Sequence, residues 1–316
     1  MMPRLKWSIV WSFSWILLFS ATTAQAQAVR IVSVNGSVTE IIYALGAEQT
    51  LVGVDTTSQY PVSALKLRQV GYQRNLSIEG ILSLKPTHIL ATTSAGPPTV
   101  VRQLRASGVE LIQFEEQYDL GSIIERIQMI AQLVGQEEKG QVLVEKLKKQ
   151  FAEVENSIQK RSQPGAEKTH GATTSDHSQE LKKGVKKVLF VLAIGSGSPL
   201  AAGKKTAANA MIELAGGVNI FTDFEGYKPV NPEVLAAAAP DAILIVSHGA
   251  EKNNVRMVDK VRDIPAVSVT PAGQQKQIRV VDGLRFLGFG PRTGEALQDF
   301  HAYLYPDAQF TRRDEL

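Results

Sequence analysis

The chain has 316 residues, 44% hydrophobic and 21% charged, with 34 Lys and Arg against 31 Asp and Glu and no Cys. A net charge of +3 is no basic footprint for nucleic acid. The lack of Cys excludes structural disulfides and a lipid anchor through an N-terminal Cys. The length suffices for a sizeable core, as one large domain or two lobes.

Residues 1–28 read as a secretory signal peptide. Arg4 and Lys6 make a basic start, Trp7 to Ala21 is apolar apart from Ser, and Ala24-Gln25-Ala26-Gln27-Ala28 offers two overlapping A-x-A cleavage sites. The run is short for a bilayer span of about 20 residues. No other stretch is apolar for long enough to cross a membrane. The expected product is therefore exported, periplasmic and not inserted in a membrane, and its cleavage removes two positive charges.

The next segment, 29–120, alternates strands and helices. Strands are predicted at Arg30–Val34, Leu51–Val54, His88–Ala91 and Glu110–Phe114, and helices at Val38–Leu45, Ser77–Leu84 and Val100–Ser107. Such alternation implies a parallel sheet covered on both faces. Between 121 and 160 apolar residues recur at helical spacing, from Ile123, Ile127 and Ile130 to Leu147, Phe151 and Val154. Gly135 divides them into two helices, the second long enough to connect two lobes. Residues 161–184 are polar, rich in Ser, Thr, Gly, Lys and Glu, and read as a mobile insert. Alternation resumes over 185–316, with strands at Lys187–Leu192 and Ala242–Val246 and helices at Thr206–Leu214, Pro232–Ala239 and Thr293–Tyr305.

The two halves echo each other. Glu79 precedes Pro86 by seven residues and the pair Ile89-Leu90 by ten and eleven, and Glu233 stands in the same relation to Pro240 and Ile243-Leu244. Any helix-Pro-strand unit can look like this, but one copy on each side of the long helix suggests two similar lobes.

Several of these segments resemble periplasmic binding proteins of the iron-chelate and cobalamin class: Arg30-Ile31-Val32-Ser33, Gly53-Val54-Asp55 with Tyr60-Pro61, and Leu76 through Pro86. Val70-Gly71-Tyr72-Gln73-Arg74, Ser198 through Gly203 and Leu287 through Arg292 are similar to the haem-binding subfamily that delivers haemin to an ABC importer. The resemblance implies an α/β fold of two Rossmann-like lobes with parallel-rich sheets joined by a long rigid helix. It also implies an interlobe cleft for haem as the transported ligand, an ABC transporter permease as partner, and a monomeric carrier rather than an enzyme. A ferric-siderophore or cobalamin carrier is the alternative within the fold, and an α/β enzyme the alternative outside it.

Ferric haem needs an axial ligand, and a phenolate is a hard oxygen donor suited to Fe(III). A free Tyr titrates at about 10, so a neighbouring cation helps it ionise. In an extended segment residues i and i+2 face one side, which would bring Arg74 beside Tyr72. On spacing alone, Tyr72 fits a packed aromatic and Arg74 a solvated charge. The subfamily's Tyr-x-Arg pattern implies Tyr72 as iron ligand and Arg74 as its support. Tyr227 and Lys228, in a loop before the second Glu unit, and Arg256, after a strand, are further candidates for ligand contact. Tyr60 and Arg292 read as structural. The family pattern also implies that Glu79 and Glu233 dock on Arg residues of the permease, although each alone fits an acidic residue favoured by its helix dipole.

Other chemistries find little footing. Some family members carry a His after the strand equivalent to 188–192, where a second haem is held, but Ala193 to Gly197 has none. His88, His170, His177, His248 and His301 lack metal-ligand spacing. No Gly-x-Ser-x-Gly elbow occurs, and Gly203-Lys204-Lys205-Thr206 falls short of a phosphate loop.

Overall fold

The computed structural model describes residues 28–162, 184–193, 199–247, 254–308 and 310. The expected signal peptide, most of the 161–184 insert, the loop after residue 193 and His170, His177 and His248 lie outside them.

The described residues form two large sheets and one two-stranded sheet. In the first, β1 (Ile31–Val34), β2 (Leu51–Val54), β5 (His88–Thr92) and β6 (Glu110–Phe114) are all parallel in the order β2-β1-β5-β6. A small separate hairpin joins β3 (Gly71–Tyr72) to β4 (Asn75–Leu76). In the second sheet β7 (Lys187–Ala193), β11 (Ala242–Ser247) and β12 (Ile278–Asp282) are parallel. That sheet continues through β8 (Leu200–Ala202) and β10 (Tyr227–Pro229), both antiparallel, and β9 (Val218–Asn219) pairs with β7. The segment from Tyr227 to Pro229, expected as a loop, is thus an edge strand. Its Pro229 stands where an edge tolerates proline.

Burial follows the period of two expected of strands. Ile31 and Leu90 of the first sheet, and Val188, Phe190, Leu244 and Val246 of the second, enter one shared core. Their neighbours face outward, Val32 and Ile89 into one outer cluster and Leu189, Ile243 and Ile245 into another. The shared core is filled by helices. α4 (Leu120–Val134) ends at Gly135, whose φ of 64° is the left-handed C-cap that glycine accommodates best. α5 (Glu137–Ser162) follows, and 26 residues make it about 39 Å long. Val144, Leu147, Phe151 and Val154 of α5 are buried against Leu297, Phe300 and Leu304 of the last helix, Thr293–Leu304.

The two echoing units have matching starts. Ser77 caps the helix Ile78–Leu82 by accepting from the Gly80 N–H, and Asn231 caps Pro232–Ala238 by accepting from Val234. Glu79 and Glu233 each sit exposed in the first turn.

Candidate functional site

A cleft of about 550 Å³ lies where strands of both sheets end. Asn35, Gly36 and Ser37 follow β1, Thr56 and Thr57 follow β2, and Glu116 to Tyr118 follow β6. From the second sheet come Leu192 near the end of β7 and Gly283 and Leu284 after β12. Ligand sites of open α/β sheets occur outside the carboxyl ends of their strands. The two walls differ. The first-sheet wall is polar, with Thr57, Gln59, Gln73 and Glu116, while the second offers Leu192, Leu284, Leu287 and Phe289. This is a slot for an amphiphile with an apolar face and polar edges.

The β3–β4 hairpin carries Tyr72 and Arg74 into this cleft. It is pinned by three hydrogen bonds, Gly96 N–H to Gln73 O at 2.9 Å, Leu76 N–H to Gly96 O at 2.9 Å and Thr56 N–H to Gly71 O at 3.0 Å. Gly71 adopts φ 103°, and a Cβ there would lie 2.9 Å from the Asn75 carbonyl. The hairpin corrects one expectation. Residues 72–74 do not run as one extended segment, because Gln73 and Arg74 form its two-residue turn. The i, i+2 alternation therefore does not hold, and no hydrogen bond joins Tyr72 to Arg74 among the described residues. Tyr72 is 45% exposed, and Arg74 is exposed.

Asn35 organises the polar wall. Its side chain accepts from Ser37 N at 2.9 Å and donates to Gln73 Oε1 at 3.1 Å. Its backbone N–H donates to Asp55 Oδ1 at 3.1 Å. Asp55 is fully buried and also accepts from Thr57 N, Thr57 Oγ1 and Ser58 Oγ. Burial pushes its carboxyl above the usual range, and hydrogen bonds from Thr57, Ser58 and Asn35 pull the other way.

Two further tyrosines line the cleft. Tyr227 reaches it from β10, with its hydroxyl hydrogen-bonded to the Thr206 side chain and the Ala208 backbone at the start of α6 (Ala207–Leu214). Burial drives its phenol up to about 12, and the neighbouring Tyr118 adds to the rise. Tyr118 packs on Phe289 with ring centroids 5.3 Å apart, and burial raises its phenol too, followed by the Glu116 charge. Arg74 opposes both shifts, so its charge acts on Tyr118 and Tyr227.

Of the other sequence candidates, Lys228 is exposed with its ammonium 5.3 Å from the Phe224 ring centroid, and it does not line the cleft. β10 alternates its side chains, so Tyr227 faces inward where Lys228 cannot. Arg256 is exposed on the helix Asn254–Arg262, also away from the lining. Arg292 pairs with Glu40 and lies over the Tyr60 ring, 3.7 Å from its centroid. Sequence reasoning missed Tyr118, Glu116 and Arg126, and it marked Phe289 only as part of the Leu287–Arg292 motif without a place in the cleft. For Arg126 a signal existed, since it shares a helix stripe with Ile123 and Ile130, where a charge has no reason to be in a plain core. Among the described residues, no group of three His, Cys, Asp or Glu side chains converges on a metal site. No helix there is long and apolar enough to cross a membrane.

The family model described as "Periplasmic binding protein" matches residues 31–283. The fold superimposes on the periplasmic heme-binding protein RhuT from Roseiflexus sp. RS-1 with a TM-score of 0.74 and 37% identity, covering 89% of this chain and 100% of that one. An uncharacterised ABC transporter substrate-binding lipoprotein, YvrC of Bacillus subtilis, is 25% identical over 90% of this chain and 82% of its own length. The vitamin B12-binding protein of Yersinia pestis is 29% identical over 76% of this chain and 78% of that protein.

Proposed function

The chain belongs to the periplasmic binding protein family, and from that premise we propose that it captures haem in the cleft and hands it to an ABC permease. The observation that carries the reading is Tyr72, held at the end of β3 in a pinned hairpin at the cleft, which also has an apolar wall suited to a flat macrocycle. In this reading Tyr72 supplies the phenolate to ferric iron. Arg74, in the turn that follows, adds positive charge on that side of the cleft. Tyr227 is the weaker donor, because its phenol is buried, hydrogen-bonded and pushed up to about 12. The kinship with a solved heme-binding protein supports haem over the related cargoes.

The leader over 1–28 would send the chain to the periplasm. Residues 29–120 and 185–316 would act as two lobes joined by 121–160. Glu79 and Glu233, exposed in the first turns of matching capped helices, would each meet an Arg of the permease in bidentate geometry.

The test is a haemin titration followed by absorption spectroscopy. Haemin should bind with a tyrosinate-type high-spin ferric spectrum, and Tyr72→Phe should lose that signature. An unchanged spectrum in the variant would remove Tyr72 as ligand. The vitamin B12-binding relative makes cobalamin the competing cargo. Binding of cyanocobalamin without binding of haemin would establish that alternative instead.

A further inference from the structure

Arg126 is an unusual residue for the floor of such a cleft. It leaves α4, lines the cleft and is 3% exposed. Its Nη1 donates to Ser37 Oγ at 3.1 Å and to the Phe289 carbonyl at 3.3 Å, and its Nη2 donates to the Glu115 carbonyl at 3.3 Å. The Nε–H has no acceptor. A guanidinium carries five N–H donors, so these contacts leave the Nε–H and one Nη2–H unused. The Nε–H is buried, so a carboxylate entering the cleft would take the spare Nη2–H, and a small shift of the side chain would bring the Nε–H to it as well. No carboxylate of the described residues forms an ion pair with Arg126. Glu116 and Glu125 act on it only through longer-range charge. A buried cation with neither counter-ion nor full hydrogen bonding is costly, and proteins seldom keep one without a partner.

We propose that Arg126 is the seat of a ligand carboxylate, and that the cargo is therefore an anionic macrocycle and not a neutral one. This rests on the haem reading and sharpens it, because the same slot then discriminates by charge as well as by shape. The neighbouring Glu116 is held by Thr92 Oγ1 at 2.9 Å and Ser94 Oγ at 2.5 Å. It opposes a second anion close by and helps fix which edge of the ligand enters first.

The experiment compares metal-free protoporphyrin IX with its dimethyl ester by fluorescence titration, so that no iron ligand enters the result. The wild-type protein should prefer the free acid by on the order of 30-fold or more, the range for a buried charge pair. Arg126→Met should bring the ratio of the two dissociation constants close to one. Arg126→Lys, which keeps the charge and loses the planar donor set, should fall between. Glu116→Gln should raise the preference for the acid, and this variant carries the test if Arg126→Met does not fold. An unchanged ratio in Arg126→Met, with only a lower melting temperature, would make Arg126 a structural staple and overturn the proposal. So would a Glu116→Gln ratio that stays level or falls. If neither porphyrin binds the wild-type protein, the haem reading falls together with the seat, whereas binding of both with a wild-type ratio of one removes the seat alone.

Discussion

Glu40 and Arg292 form a buried ion pair between distant parts of the chain, and their separation should be costly in a pH-dependent way. Glu40 stands on helix α1 (Gly36–Ala44) and is 4% exposed, while Arg292 precedes the last helix. Arg292 Nε donates to Glu40 Oε2 at 3.0 Å, and Nη2 donates to Oε1. Removing one member of a buried pair costs about 3–5 kcal/mol. The Arg292 side chain is 18% exposed, so some water would reach the orphaned carboxylate, and we expect Arg292→Met to cost about 2–3 kcal/mol near pH 7.5. That corresponds to a melting temperature lower by roughly 5–10 °C. Burial raises the Glu40 carboxyl, and the Arg292 hydrogen bond and charge lower it. Because the folded value lies above the unfolded one, the native state holds its proton longer. Stability therefore falls as pH rises through the interval between the two. Without Arg292 the folded value climbs and that interval widens upward. The defect in Arg292→Met should thus be largest near pH 8 and shrink as the pH falls and the carboxyl takes up its proton in the fold. Glu40→Gln in the Arg292→Met background should recover part of the loss at pH 7.5. Urea denaturation across pH 5–8 reads both effects. A loss that is flat with pH and not relieved by Gln would refute the reasoning, and would trace the cost to lost packing on Tyr60.

Other outcomes follow from the same geometry. Asp55→Ala orphans two N–H groups and two hydroxyls beneath the polar wall. It should lower stability by about 3 kcal/mol in urea unfolding and weaken haemin binding, since the Asn35–Gln73 contact loses its base. Tyr227→Phe should leave the tyrosinate spectrum intact, because a phenol at about 12 stays protonated at neutral pH; loss of the band would move the iron to Tyr227. Glu79→Ala and Glu233→Ala alter exposed first-turn carboxylates, so stability should stay within about 0.5 kcal/mol and haemin affinity unchanged. Haemin-stimulated ATPase activity of the reconstituted transporter should drop in each, and full activity in the double variant would end their docking role.

Much of the frame was legible because its signals are local. The strands at 31–34, 88–92, 187–193 and 242–247 are apolar runs between turns, and Gly135 broke the helical period where the chain needs φ 64°. What stayed hidden depends on pairing at a distance. β8, β9 and β10 have two or three residues each, too few to show a period, and exist because the edge of a neighbouring strand receives them. The hairpin at 71–76 was similarly read as extended, since its two-residue turn is enforced by Gly96, some twenty residues later. Within the site, Tyr72 and Arg74 stood out as a motif. Tyr118 had no motif to mark it, and Phe289 stood inside the Leu287–Arg292 motif with no role of its own, because only the fold brings the segments after β6 and β12 together.

The cleft walls are also fastened to each other by the residues that line or border the cleft. Arg126 reaches Ser37 after β1 and the Phe289 carbonyl after β12 with the same Nη1. Glu40 and Arg292 repeat the link one turn away, and Gly290 lies so close to Ser37 that a Cβ would come within 3.1 Å of its side chain. Hinge closure would have to break these bonds or slide them, and nothing in an amphiphilic ligand replaces the Glu40–Arg292 pair. The simplest course is a cleft that keeps its width and changes mainly by side-chain rotation at Tyr72 and Arg74, both exposed on the β3–β4 hairpin. Arg126 would then meet the cargo with little displacement, because three of its contacts hold the walls. Under the proposed docking, release would come from a pull that strains these links, transmitted through the exposed carboxylates of Glu79 and Glu233.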